Sequence, residues 1–328
     1  MPVVMLANGK AFPVADNKSI LEEAKSCGIA LEYSCRTGRC GVCQAHVSEG
    51  ETIVIQSEEA LTQDELAGGL ILTCCRAALT DLALNINDLG RLADIEMKTL
   101  PCRINSINLV APDVVEVMLR LPPNSIFKYL AGQYINIIFK NLRRSYSIAN
   151  FQRNDNTLTL HIRRVENGEM SGYWFNEAKV NDLLRLEGPL GTFCLRDAGP
   201  TNIIFLATGT GIAPVKAMLE ELTQTPELFS NKEIRVYWGG RTSSDIYWNV
   251  SFGSLKVKFL PVLSQPDNQW DGLTGYVQHT FLDDHVDLTD SVIYACGSDA
   301  MIHSARTLLT SAGLASNKFY SDAFVSSN

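Results

Sequence analysis

The stretch Ser34-Cys35-Arg36-Thr37-Gly38-Arg39-Cys40-Gly41-Val42-Cys43 decides how the first part of this chain folds. It spaces three cysteines as C-x4-C-x2-C, and a fourth, Cys74, follows downstream in Leu72-Thr73-Cys74-Cys75. Three clustered cysteines and one distant one is the spacing of a [2Fe–2S] centre, where four thiolates converge on two bridged irons. A tight loop must then supply three sulfurs and a separate segment the fourth. Gly38 and Gly41 suit such a loop, because backbone amides have to turn inward toward sulfur with no Cβ in the way. A zinc site built from Cys40, Cys43, Cys74 and Cys75 is the competing reading. It leaves Cys35 idle and lacks a second tight pair, so the two-iron centre is preferred. Cys35, Cys40, Cys43 and Cys74 are therefore the expected metal ligands, and the chain is expected to move electrons. Of the adjacent pair, Cys74 takes the ligand role, since neighbours on an extended segment point to opposite sides.

The chain has 328 residues, more than one core usually carries, which points to two or three domains. With 46% apolar and 20% charged residues it has material for packed cores and is not disordered throughout. The net charge of −8 is uneven: residues 1–95 hold 7 Lys/Arg against 13 Asp/Glu, a balance of −6. That acidity either steers a basic partner surface toward the first segment or serves solubility. No basic stripe exists to meet phosphates, so nucleic acid is not an expected partner. The N-terminus lacks the basic start and apolar run of a signal peptide, and no 18 apolar residues run together to span a membrane. Free thiols and an iron–sulfur cluster suit a reducing cytoplasm.

Outward from the cysteine loop, residues 1–90 read as a small α+β domain. Short apolar runs at 3–6 and 11–14 flank Asn8-Gly9, a two-residue hairpin signal. Ser19 caps a helix bearing Ile20, Leu21 and Ala24, and Thr62 to Glu65 reads as a capping box. Residues 89–98 read as a connector. Residues 99–197 show only short strands with turns between them, at 102–109, 114–121, 134–139, 145–148, 157–163 and 183–187, with one helix at 171–178. That pattern is an antiparallel barrel. Residues 198–328 alternate buried strands (202–207, 234–238, 257–262, 291–295, 318–320) with helices (213–222, 301–312). Such alternation makes a doubly wound parallel sheet.

Each of the two later segments carries a candidate site. On a barrel strand, Arg144 offers a cation for a flavin pyrophosphate, Tyr146 a ring against the isoalloxazine, and Ser147 a hydroxyl near flavin N5, the alternative being a plain strand with one tyrosine packed inward. Gly168, Glu169, Met170 and Ser171 open the one helix of that segment, where backbone amides take a second diphosphate contact. In the third segment, Thr208, Gly209, Thr210, Gly211 and Pro214 join the buried strand to a helix. Glycines there let a dinucleotide pyrophosphate approach the backbone, and proline fits a first helical turn. Cys296 and Gly297 end the last long strand, at the carboxyl edge where such sheets bind ligands, so Cys296 is expected to face the nicotinamide, the alternative being a thiol packed in the core. Cys27, Cys102 and Cys194 are expected to be packing residues.

Taken together, these motifs resemble the flavin-dependent reductases of the ferredoxin–NADP reductase superfamily that carry an N-terminal plant-type ferredoxin domain. Glu32 to Cys35, Ile71 to Cys75, Ala131 to Asn136, Arg144 to Asn150, Ala213 to Lys216 and Phe319 to Phe324 are similar to the CDP-6-deoxy-Δ3,4-glucoseen reductase family. The resemblance implies a β-grasp-like cluster domain, an FAD barrel and an NAD domain, in that order. It implies electron flow from NADH through FAD and [2Fe–2S] to a partner protein, a deoxysugar dehydrase. It also implies that Phe324 lies near the flavin, in the nicotinamide position, the alternative being a ring that anchors the tail. Members using NADPH carry Ser-Arg where this chain has Ser264-Gln265, with Asp267 behind, so NADH is expected, although Arg241 offers a phosphate contact. Reductases of aromatic-ring oxygenases share these motifs, and a redox sensor is the reading from another class.

Overall fold

The computed structural model describes residues 1–15, 17–196, 199–224, 226–248, 252 and 255–324. They form two compact units, Met1–Glu96 and Met97–Phe324. The expected boundary at 197/198 and residues 325–328 lie outside the described residues.

The first unit holds strands β1 (Val3–Leu6), β2 (Ala11–Pro13), β3 (Gln44–Glu49), β4 (Thr52–Val54), β5 (Leu70–Leu72), β6 (Arg76–Ala78) and β7 (Leu82–Leu84), with helices α1 (Ile20–Ser26) and α2 (Gln63–Ala67). Five strands make one sheet in the order β2-β1-β7-β3-β5, and β4 pairs with β6 in a separate ribbon. Alternation sends Val4, Leu6 and Phe12 inward against Ile20, Leu21 and Ala24 of α1. Ser19 Oγ accepts from Glu22 N at 3.1 Å, and Thr62 and Glu65 form the expected capping box. Two local expectations are corrected. The hairpin loop runs over residues 7–9, closed by Leu6 N donating to Lys10 O at 2.8 Å, with Gly9 at φ +80°. Cys27 is exposed because it caps the solvent end of α1, whereas Cys102 and Cys194 are buried.

The second unit opens with a barrel: β8 (Lys98–Ala111), β9 (Val114–Arg120), β10 (Tyr134–Phe139), β11 (Leu142–Ser147), β12 (Thr157–Arg163) and β13 (Leu183–Leu190). Their order is β11-β10-β13-β8-β9-β12, every neighbour is antiparallel, and a bridge between Ile148 and Leu160 joins the two outer strands. The connector ends sooner than expected, since Lys98 already pairs with Gly188 and Leu100 with Leu186. Pro101 sits inside that strand, expected only from residue 102; a residue without an N–H argues against a strand in sequence and so conceals its start. Helix α3 (Glu169–Gly172) starts two residues before the expected helix and continues as a π turn over Tyr173–Glu177.

Beyond the barrel, β14 (Asn202–Thr208), β15 (Glu233–Gly240), β16 (Val257–Leu263), β17 (Leu273–Thr274), β18 (Ser291–Ser298) and β19 (Phe319–Phe324) form a wholly parallel sheet. Helices α4 (Ile212–Leu222), α5 (Val277–Asp283) and α6 (Asp299–Ser311) connect its strands. The strand order β17-β16-β15-β14-β18-β19 reverses between β14 and β18, which opens a crevice at their carboxyl ends. Ala131, Phe193 and Leu195 pack into the sheet's own core beside Phe205, Val215 and Met218, so barrel and sheet share apolar burial. Among the described residues no helix is long and apolar enough to cross a membrane.

Candidate cofactor sites

In the first unit the loop after α1 folds back on itself because Gly38 and Gly41 take φ of +76° and +68°. A Cβ on Gly38 would stand 2.0 Å from Ser57 O, so no other residue fits there. The folded loop turns amides toward sulfur, as a thiolate site requires. Thr37 N donates to Cys35 Sγ at 3.3 Å and Cys35 N to Cys40 Sγ at 3.5 Å. The distant segment is tied in by Thr73 N donating to Cys43 O at 2.9 Å, and Cys43 Sγ lies 3.2 Å from Cys74 Sγ.

The four sulfurs therefore stand as two pairs, Cys35 with Cys40 and Cys43 with Cys74. In each pair one thiol donates to the other sulfur. The Cys40 thiol lowers Cys35 to about 5, and the Cys43 and Cys75 thiols lower Cys74 to about 3. Cys40 and Cys43, the donors, are held well up in turn, so each pair keeps one proton that metal binding would displace. Two pairs fit two irons. One premise fails: residues 73–75 form a turn, not an extended segment, so Cys74 and Cys75 place their sulfurs 3.4 Å apart on the same side.

In the barrel, the β10–β11 hairpin presents Arg144, Tyr146 and Ser147, and α3 packs against β11. Arg144 is exposed, Ser147 buried, and Tyr146 lies between, its hydroxyl accepting from Trp174 Nε1 at 3.0 Å. The Tyr146 and Trp174 rings meet edge to face at 6.1 Å. Burial pushes the Tyr146 hydroxyl up to about 12, so it stays protonated. At α3, Gly168 is the cap, Met170 is buried, and Ser171 Oγ accepts from Val165 N at 2.8 Å.

The crevice of the parallel sheet holds a cavity of about 640 Å³. Its wall includes Thr208, Gly209 and Thr210 from the glycine turn and Phe324 from the end of β19. Gly211, Cys296 and Gly297 back the wall without lining it, and Pro214 is buried in the first turn of α4. A Cβ on Gly211 would meet Cys296 O at 2.2 Å, and one on Gly297 (φ +141°) would meet Thr208 Oγ1 at 2.1 Å. Cys296 thus departs from its expected place: its side chain is wholly buried in the sheet core, and that burial pushes the thiol well up. Phe324, by contrast, is 38% exposed and faces the cavity, not the core.

Several wall residues escaped the motif reading. Arg163 arrives from the barrel, held by Asp113 at 2.9 Å and by Asp245. Tyr276 caps α5 and His279 lies in its first turn. None belongs to a recognisable local pattern. Arg241 and Ser264 line the cavity, whereas Gln265 and Asp267 are not on its wall. Helix α4 ties the two sites together. Lys216 Nζ donates to Ala149 O at 3.0 Å and to Glu220 Oε1 at 2.7 Å, and Phe151 N donates to Glu220 Oε2 at 2.9 Å.

Cluster loop, barrel and dinucleotide sheet in one chain define an iron–sulfur flavoprotein reductase. Residues 5–79 match the 2Fe-2S iron-sulfur cluster binding domain family, 101–194 the oxidoreductase FAD-binding domain and 205–307 the oxidoreductase NAD-binding domain. The chain belongs to the ferredoxin–NADP reductase superfamily, among its members with an N-terminal [2Fe–2S] domain. It is an NAD(P)H-dependent oxidoreductase whose cofactors are FAD, a [2Fe–2S] cluster and NAD(H).

Within that family it is 42% identical over 325 residues to the CDP-6-deoxy-L-threo-D-glycero-4-hexulose-3-dehydrase reductase of Yersinia pseudotuberculosis, covering 98% of this chain and 97% of that protein. It is 31% identical to reductase component 2 of a Comamonas terephthalate 1,2-dioxygenase, covering 96% of this chain and 94% of that one. Among solved structures, an Amycolatopsis cytochrome P450 reductase superposes with a TM-score of 0.71 at 25% identity, covering 99% of both chains.

Proposed function

We propose that this chain is the NADH-dependent reductase of a deoxysugar dehydrase, delivering electrons to that partner during 3-deoxygenation of a nucleotide-linked hexose. One observation carries the choice of partner: the 42% identity to the Yersinia dehydrase reductase runs through 98% of the chain, against 31% for the dioxygenase component. When bound, nicotinamide, flavin and cluster together supply the conversion of a two-electron donor into single electrons.

The chain's own residues bind and orient. Cys35, Cys40, Cys43 and Cys74 hold the cluster. Arg144, Tyr146, Ser147 and the amides at Gly168, Met170 and Ser171 hold FAD, with Trp174 fixing the Tyr146 ring. Thr208, Gly209 and Thr210 receive the dinucleotide pyrophosphate, and Cys296 and Gly297 back that wall. Phe324 covers the place of the nicotinamide until the donor displaces it. Lys216 sets the segment after Ser147 against the helix that begins at the glycine turn, which fixes the approach of donor to flavin.

The test is reconstitution. Purified reductase and NADH should drive turnover of a purified CDP-6-deoxyhexulose dehydrase, with no coupling to an aromatic-ring dioxygenase. Coupling to the dioxygenase alone would assign the chain to the oxygenase systems instead.

A further inference from the structure

Cys75 has no assigned role, yet it is wholly buried beside the cluster ligands. Because residues 73–75 turn, its sulfur lies 3.4 Å from Cys74 Sγ. The same sulfur is 3.3 Å from Ser57 O, and Gln56 Nε2 donates to it at 3.8 Å. It also touches the cluster loop: a Cβ on Gly38 would stand 2.9 Å from Cys75 Sγ. The thiol thus sits against the turn between Cys35 and Cys40, with one donor and two possible acceptors within reach.

A thiol offers one proton, and two acceptors compete for it: the neutral carbonyl of Ser57 and the sulfur of Cys74. A hydrogen bond to an anionic acceptor is roughly twice as strong as one to a neutral acceptor. Once Cys74 is a thiolate ligand, the proton is drawn to it, while the Gln56 amide continues to donate to Cys75 from behind. Hydrogen bonds to ligand sulfur are among the terms that set the reduction potential of an iron–sulfur centre, because they offset the extra negative charge of the reduced form.

We propose that Cys75 is a positioning residue of the cluster. Its S–H donates to the Cys74 sulfur and raises the cluster's reduction potential, while its bulk supports the loop at Gly38. This rests on the reading of Cys74 as a ligand.

The experiment uses the full chain with its native cofactors. Iron and sulfide content, visible absorption and an EPR-monitored redox titration are measured for the wild type, Cys75→Ser, Cys75→Ala and Cys75→Val. All should keep the cluster. The Ala and Val variants, which lack a donor, should have a reduction equilibrium about tenfold less favourable, which is 59 mV for a one-electron couple. Cys75→Ser, which retains a donor, should fall closer to the wild type. Should Ala lose the cluster, Val restores the volume, and a lowered potential in Val still supports the proposal. Loss in both overturns the tuning role, because it would make Cys75 necessary for assembly of the cluster. An intact cluster with unchanged potential in Ala or Val overturns the proposal. The Cys74→Ser variant separates that failure from failure of the ligand reading. It should lose the cluster absorption while retaining FAD, and a cluster that survives it and vanishes in Cys75→Ser would make Cys75 the ligand.

Discussion

Lys216 Nζ donates to Ala149 O at 3.0 Å, linking the helix that begins at the glycine turn to the segment just beyond the strand that ends at Ser147. Its other partner, Glu220, binds Phe151 N on the same segment. Two candidate sites that are far apart in sequence are thereby held in one geometry. Lys216→Met should leave FAD content unchanged and lower kcat for NADH:ferricyanide turnover roughly ten- to a hundredfold, the usual effect of misplacing reacting groups by about 1 Å. A variant with unchanged kcat would mean that shared core packing alone aligns the two sites.

Phe324 ends β19, paired with Ser298, and reaches the cavity wall. Replacing it with alanine should tighten NAD+ binding roughly tenfold, as expected when a competing occupant of a site is removed. Weaker binding, measured by difference spectroscopy, would assign the ring to holding the tail in place.

NADH should be preferred over NADPH, as judged by kcat/KM for each donor. Arg241 lines the cavity and Gln265 does not, so residual NADPH use should fall about tenfold in Arg241→Ala with little change for NADH. Gln265→Arg should shift the ratio toward NADPH by ~1–2 kcal/mol, the worth of a charged hydrogen bond. A wild type that favours NADPH would show that Arg241 grips a 2′-phosphate outright.

His161 is buried between barrel and sheet, its Nδ1 3.2 Å from Tyr247 Oη. Its Nε2 has no hydrogen-bond partner, and the nearest carboxylate oxygen, on Glu116, is 3.5 Å away. Burial lowers its pKa below the ordinary 6.5, despite the pull of Glu116. The unfolded chain therefore takes up a proton that the folded one resists. The associated stability is complete above about pH 6.5 and is lost as pH falls toward the lowered folded value. His161→Gln should flatten the dependence of Tm on pH between about 7 and 5. Parallel Tm curves for variant and wild type would count against this.

The unit Met97–Phe324 shares apolar burial between barrel and sheet, and β8 begins at Lys98. A fragment starting at Met97 should fold, bind FAD and reduce ferricyanide with NADH. It should fail with cytochrome c, which is expected to draw electrons through the cluster. Equal cytochrome c rates for fragment and full chain would place the exit at the flavin.

The sequence by itself determined the local chemistry. Cysteine spacing, the caps at Ser19 and Thr62, the change from period-two strands to alternating strands and helices, and the glycine turn at 209–211 are written in neighbouring residues, so each was legible without coordinates. What needed the tertiary structure was every relationship between distant segments. Pro101 concealed the start of β8, because a strand assignment there depends on the pairing with β13. Cys74 and Cys75 lie on one side only because their segment turns after Leu72. Phe324 reaches the cavity because β19 continues past Tyr320 along β18, a register no local pattern reveals. Cys296 is enclosed because β18 runs between β14 and β19 and leaves its thiol in the core, although its position at a strand end made it look like a ligand contact. Periodicity and spacing act over a few residues. Which side chains share a wall is decided by strand order and packing, which bring Arg163 of the barrel to Gly209 of the sheet.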